Sequence, residues 1–187
     1  MLADALRSRE VEVKYQVDGG DPAAAAERAL AKQGVSLGSA VAQDDQAYAP
    51  AAWSYGQSKI GVAFARLRTE AGRVLFTVKT PLVNELDCAE QETVVADRAA
   101  MHEALLLMGY VPTVRIVKYR RTGSWSGGQV CLDVVEGLGV FVEVERLVSA
   151  DASSLAVQAE LDVWVQDLGV PVRRVTQTYD SLLRAVV

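Results

Sequence analysis

The stretch REVEVKYQV, Arg9–Val17, constrains the fold more than any other part of the chain. Charged and apolar residues alternate in it, with Glu10, Glu12 and Lys14 on one parity and Val11 and Val13 on the other. A strand repeats its side-chain direction every second residue, so two carboxylates and an ammonium share one face and the valines share the opposite face. Two readings of the charged face follow. It meets solvent, or it lines a site that needs acidic and basic groups together.

The pattern recurs along the chain. ARLR puts Arg66 and Arg68 on one face, FTVK offers Thr77 and Lys79, and EQE offers Glu90 and Glu92. VKYR offers Lys118 and Arg120, CLDVVE carries Asp133 in a mostly apolar run, and FVEVE offers Glu143 and Glu145. Strands are expected at Glu10–Val17, Val62–Thr69, Arg73–Thr80, Gln91–Ala96, Thr113–Thr122, Gln129–Glu136 and Val140–Leu147. Glu70–Gly72 and Glu136–Gly139 read as hairpin connections. Three helices are expected. One runs from an Asp21 cap and Pro22 to Gly34. The next runs from an Asp97 cap to Gly109, with Ala100, Ala104, Leu105 and Met108 at helical spacing. The third runs from about Asp151 to Leu168, with Leu155, Leu161, Val165 and Leu168 on its apolar face. Gln43–Ile60 has no clean period and reads as a mobile or ligand-covering loop.

Composition narrows the chemistry. The chain has 187 residues and reads as one domain, 1–187. A net charge of −5 argues against a general nucleic-acid binder, which carries a basic surface. There is no apolar run long enough for a transmembrane helix, and the start MLADALRSRE lacks the apolar core of a signal peptide. Cys88 and Cys131 are too few for a disulfide framework, so a reduced, cytoplasmic protein without membrane association is expected. His102 is the only histidine and falls in the second helix, where a surface or groove role is expected. Histidine-based zinc sites are therefore disfavoured. Any metal would be hard and held by carboxylate oxygens, which means Mg²⁺ or Mn²⁺.

These strands can close into a barrel. The valines, leucines and phenylalanines need cover, and amphipathic helices can supply it from outside. The charged face then points inward. Charges in a dry barrel would be prohibitive, but they make sense in an open, wet tunnel that binds a polyanion and its metal. The alternative is a solvated outer face with cross-strand ion pairs, each worth about 0–1 kcal/mol.

The motifs also carry a resemblance. EVEVK, Glu10–Lys14, resembles the ExExK signature of the CYTH superfamily, the triphosphate tunnel metalloenzymes. RLR, TVKTP, EQE, VKYRR, LDVVEGLGVFVEVE and TYDSLL agree with that family in type and order over nearly the whole chain. The resemblance implies an α+β fold: a closed antiparallel β-barrel of about eight strands with helices packed outside. It implies Lys14, Arg66, Arg68, Lys79, Lys118 and Arg120 as triphosphate-binding bases. Glu10, Glu12, Lys14 and Lys79 would be catalytic. Glu10, Glu12, Glu143 and Glu145 would be metal carboxylates, with Glu92 and Asp133 as tunnel acids that orient bases or help hold Mg²⁺ or Mn²⁺. Glu90 ranks lower because it sits at a strand entrance, Arg121 should point outward, and Glu136 should be structural. Class IV adenylyl cyclase-like conversion of ATP to cyclic AMP and pyrophosphate is the favoured activity. The alternative is hydrolysis of thiamine triphosphate or inorganic triphosphate. Trp53 and Tyr55 could stack on an organic ring or simply pack their loop. A homodimer is also implied.

Overall fold

The fold is described from a computed structural model covering residues 8–186. The leader reading of the first residues falls largely on 1–7, outside the described residues. The elements run β1 (Ser8–Val17), α1 (Pro22–Lys32), β2 (Val41–Pro50), β3 (Phe64–Glu70), β4 (Arg73–Pro81), β5 (Asp87–Val95), α2 (Arg98–Leu107), β6 (Tyr110–Trp125), β7 (Gly128–Val135), β8 (Gly139–Ser149), α3 (Ser154–Gln166), β9 (Val172–Val175) and α4 (Tyr179–Val186). Among the described residues no helix is long and apolar enough to cross a membrane.

Eight antiparallel strands follow one another around the sheet as β5-β4-β3-β2-β6-β7-β8-β1, and a β1–β5 pairing closes the ring. The closing seam is short. It consists of Glu10 opposite Cys88, Val11 opposite Asp87, and a hydrogen bond of 2.9 Å from the Glu12 amide to the Leu86 carbonyl. Further along, β1 turns the same edge to β9, from Lys14 opposite Val175 to Val17 opposite Val172. Because β1 splits this edge between two partners, little of it is left open for pairing with another chain.

Alternation decides which way the barrel faces. Val11, Val13, Val142 and Val144 are fully buried, and they pack outward against Leu30 of α1 and Leu161 and Val165 of α3. On the opposite side, Tyr48, Ala65 and Leu67 pack against Leu105 of α2. Helices thus cover the apolar face from outside, and the charged parity turns inward. The first two helices begin at the expected Asp21 and Asp97 caps, and the third begins at Ser153 rather than near Asp151. Asp21 accepts from the Ala24 amide at 3.2 Å, Asp97 from the Ala99 amide at 2.8 Å, and Ser153 from the Ala156 amide at 3.4 Å.

Four differences from the sequence expectations stand out. Gln43–Pro50 is not a loop but most of β2, an interior barrel strand paired to both β3 and β6. Its alternation is hidden because its outward residues include Asp44 and Gln46. Tyr179–Val186 forms a fourth helix, and Val172–Val175 forms the ninth strand. Leu155 and Met108 are exposed and do not join the apolar faces assigned to them.

Gly128 opens β7 where the chain passes close to β8. A Cβ there would lie 2.2 Å from the Glu145 carbonyl oxygen, and a strand backbone has little room to move away. Gly128→Ala should therefore destabilise the barrel by about 1–3 kcal/mol, a cost typical of overpacking. Urea denaturation checks this, and an unchanged midpoint would contradict the close approach.

Candidate active site

The inward faces of the strands enclose a cavity of about 330 Å³. Every base expected from the sequence lines it, as do Glu10, Glu12, Glu92, Glu143 and Glu145. Asp133 lies in the wall behind the bases, fully buried. Seven cationic and nine carboxylate side chains line the cavity, so acidic groups outnumber basic ones there. A bare polyanion would meet that excess, whereas a polyanion arriving with cations would not.

The antiparallel pairing of β1 with β8 makes the first and last long strands neighbours. Glu12 lies opposite Glu145, and Lys14 opposite Glu143. Glu10, Glu12 and Glu145 can each offer one carboxylate oxygen within 4.8 Å of the others. Burial, with Glu143 nearby, raises the Glu12 carboxyl above the usual range despite Lys14. Burial, Glu10 and Glu12 push Glu145 up to about 8. These are carboxylates short of positive charge. Their hard oxygen donors fit a divalent cation such as Mg²⁺ or Mn²⁺, which would supply the missing charge.

The other three expected metal carboxylates lie outside that cluster, paired with bases. Glu143 bridges Lys14, at 3.1 Å, and Arg120. Asp133 accepts from Lys118 at 2.8 Å, from Arg120 at 2.7 and 2.6 Å, and from the Tyr179 hydroxyl at 3.0 Å. Glu92 accepts from the Thr77 hydroxyl at 2.8 Å and from Arg66 at 3.3 Å. Glu143 is held well below the usual carboxylate range, because Lys14 and Arg120 outweigh the cost of its burial.

The bases are held in place by these acids. Arg68 makes a two-pronged contact with Asp45, at 2.7 and 2.8 Å. Lys79 lies 2.9 Å from Glu10 and 2.6 Å from Glu90, so it links the acid cluster to the strand carrying Glu90 and Glu92. Glu90, ranked low from the sequence, is thus part of the wall. Arg121 points outward, to Glu27 at 2.8 Å. His102 bonds the Tyr48 hydroxyl at 2.8 Å, outside the charged cavity.

Sequence reasoning missed Asp45, Lys59 and Tyr179. Asp45 sat in the segment read as a loop. Lys59 sat near the end of the same segment, which shows no strand alternation. Tyr179 lay inside a quoted motif, TYDSLL, with no role assigned to it. The Tyr179 ring lies 4.3 Å from the Lys14 ammonium and 5.0 Å from that of Lys118. Part of the cavity wall is aromatic. Trp53 packs edge-on against Tyr55 and Phe64, with both ring centroids 5.0 Å away, and all three residues line the cavity.

The CYTH domain model matches residues 8–179, and the chain belongs to this family. Its members are divalent-metal-dependent enzymes that take triphosphate substrates in a tunnel. A curated relative from Methanocaldococcus jannaschii, named "Putative adenylate cyclase MJ0240", is 29% identical over 86 residues. That match covers 45% of this chain and 49% of the relative, so it spans about half the relative's length. A solved structure from Pyrococcus horikoshii OT3 superposes with a TM-score of 0.77 at 24% identity, covering 95% of this chain and 99% of that one. A Hippeastrum protein described as a "putative adenylyl cyclase" with a dominant triphosphatase activity superposes with a TM-score of 0.64 at 16% identity, covering 95% and 96% of the two chains.

The pairing within the tunnel predicts how ligand affinity depends on pH. Burial and the neighbouring Arg120 push the Lys118 ammonium down to about 8. A bound anion favours the charged form, so protein above that pH must take up a proton to bind. Affinity for inorganic triphosphate should fall as pH rises through about 8, and the part of the fall due to this group should vanish in Lys118→Met. Isothermal calorimetry across pH 7–9.5 checks it, and identical pH profiles for the two proteins would contradict it.

Proposed function

We propose that this chain is a class IV adenylyl cyclase-like enzyme that converts ATP to cyclic AMP and pyrophosphate. The observation that carries the reading is a single cavity lined by three groups: the Glu10–Glu12–Glu145 cluster, the wall of bases, and the aromatic patch of Trp53, Tyr55 and Phe64. The first group suits a divalent cation, the second a triphosphate and the third a flat organic ring. The name of the Methanocaldococcus relative points the same way.

The residues would act as follows. Arg66, Arg68, Lys118 and Arg120 grip phosphate oxygens, the arginines by paired contacts. Lys14 and Lys79 lie between the acid cluster and the bases, where charge builds as a P–O bond breaks. Their ammoniums are already in place, so they stabilise that charge without reorganisation. Glu10, Glu12 and Glu145 would hold Mg²⁺ or Mn²⁺, which when bound supplies Lewis-acid stabilisation of phosphate oxygens. In the cyclase the ribose 3′-hydroxyl attacks the α-phosphorus and loses its proton to solvent as the bond to the β-phosphate oxygen breaks and pyrophosphate leaves. A second reading has water attack the terminal phosphorus and release orthophosphate. The triphosphatase activity ascribed to the Hippeastrum neighbour favours it.

A product assay separates the two. ATP, thiamine triphosphate and inorganic triphosphate are supplied separately with Mg²⁺ or Mn²⁺. The proposal expects cyclic AMP and pyrophosphate from ATP. Orthophosphate without a cyclic nucleotide would replace it with the triphosphatase reading. Glu12→Gln keeps volume and removes charge, and should cut metal-dependent turnover by roughly 10²-fold or more. Full activity in that variant would remove Glu12 from the site. Lys79→Ala should raise KM for the triphosphate, and unchanged KM and kcat would remove Lys79 in the same way.

A further inference from the structure

Lys59 stands between β2 and β3 and is 7% exposed. Its ammonium donates to the Thr178 hydroxyl at 2.6 Å and the Ser181 hydroxyl at 2.8 Å. It lies 3.3 Å from Asp180 and 3.2 Å from Glu85. Glu85, from the β4–β5 connection, also accepts from the Thr178 amide at 3.4 Å. Two separate segments therefore converge on one buried cation. An ammonium has three donors and no acceptor, and here its surroundings consume all of them.

Tyr179 sits between the clasped Thr178 and Asp180. Its ring faces Lys14 and Lys118, its hydroxyl donates to Asp133, and its edge meets Phe141 at a centroid distance of 5.1 Å. Lys14 also donates to the Gln177 carbonyl at 3.4 Å. The segment Gln177–Ser181 is thus gripped by Lys59 and in turn steadies two of the tunnel's ammoniums.

We propose that Lys59 is a positioning residue for triphosphate binding: by clasping Thr178, Asp180 and Ser181 it fixes Tyr179 against Lys14 and Lys118 and holds both ammoniums in the tunnel wall. This rests on the reading of the tunnel as a triphosphate site. Without the Lys59 charge, Glu85 and Asp180 face each other with no cation between them, and their repulsion opens the clasp. The first turn of α4 then shifts, and the aromatic face leaves the two lysines.

The test uses Lys59→Met, Asp180→Asn, Tyr179→Leu and the Lys59→Met/Tyr179→Leu double variant. One readout needs no ligand: the rate at which acetic anhydride acetylates each lysine, followed by mass spectrometry. Lys14 and Lys118 should label faster in Lys59→Met than in the wild type, while the exposed Lys32 is unchanged. The second readout is the Kd for inorganic triphosphate with Mg²⁺. It should rise about tenfold in Lys59→Met and in Tyr179→Leu, the scale of one partly desolvated cation–π contact. The double variant should bind no more weakly than Tyr179→Leu alone, because both substitutions break one chain of contacts. Unchanged labelling and Kd in Lys59→Met would overturn the proposal. So would additive losses in the double variant, which would mean that Lys59 touches the anion itself. If every lysine labels faster in Lys59→Met, that variant has lost its fold and Asp180→Asn is read instead. It keeps the Lys59–Glu85 pair and should shift both readouts the same way by less, and no shift there overturns the proposal. A wild type that fails to bind triphosphate overturns the reading of the tunnel, whereas selective labelling at Lys14 and Lys118 still upholds the clasp.

Discussion

The buried carboxylate of Asp133 is the contact on which the wall of bases depends. It has no exposed surface, yet both its oxygens are satisfied by Lys118, Arg120 and Tyr179. Through it β6, β7 and α4 share one junction. Its carboxyl is held below the ordinary range because Arg120 and Lys118 outweigh its burial. Breaking such a buried set by removing one member costs roughly 3–5 kcal/mol, since the remaining charges are left unpaired. The bases therefore point where the acids hold them, before any ligand arrives.

That constraint explains the division of labour among the acids. Asp45, Asp133 and Glu143 each hold bases at close range. Glu10, Glu12 and Glu145 gather where cations are scarcer, and burial drives Glu12 and Glu145 toward protonation. The tunnel thus sets a wall of acid-paired bases beside a cluster of three carboxylates that share two lysines, Lys14 and Lys79. A metal-bearing triphosphate is complementary to both parts at once, whereas a bare anion matches only one.

Much of this was legible in the sequence. In β1, β3, β4 and β8 an apolar parity faces covering helices, and the charged parity is left to face inward. Where both parities are polar the signal fails. In β2, Asp44 and Gln46 on the outer face erase the alternation, so Asp45 and its pairing with Arg68 went unseen. Lys59 sits in irregular backbone, and three of its partners, Thr178, Asp180 and Ser181, lie more than 110 residues away at the start of α4, a separation that no local pattern reports. The split between the Glu10–Glu12–Glu145 cluster and the acids that pair with bases was also hidden. Glu143 and Glu145 share a parity on one strand, and only the β1–β8 register brings Glu145 to Glu12 and Glu143 to Lys14.

The most direct test of this account is a crystal structure with Mn²⁺ and a non-hydrolysable triphosphate analogue, with the metal located by anomalous scattering. The account predicts a Mn²⁺ peak bounded by Glu10, Glu12 and Glu145, and phosphate oxygens against Arg66, Arg68, Lys118 and Arg120. A metal bound elsewhere, or an analogue lying outside the barrel, would contradict it.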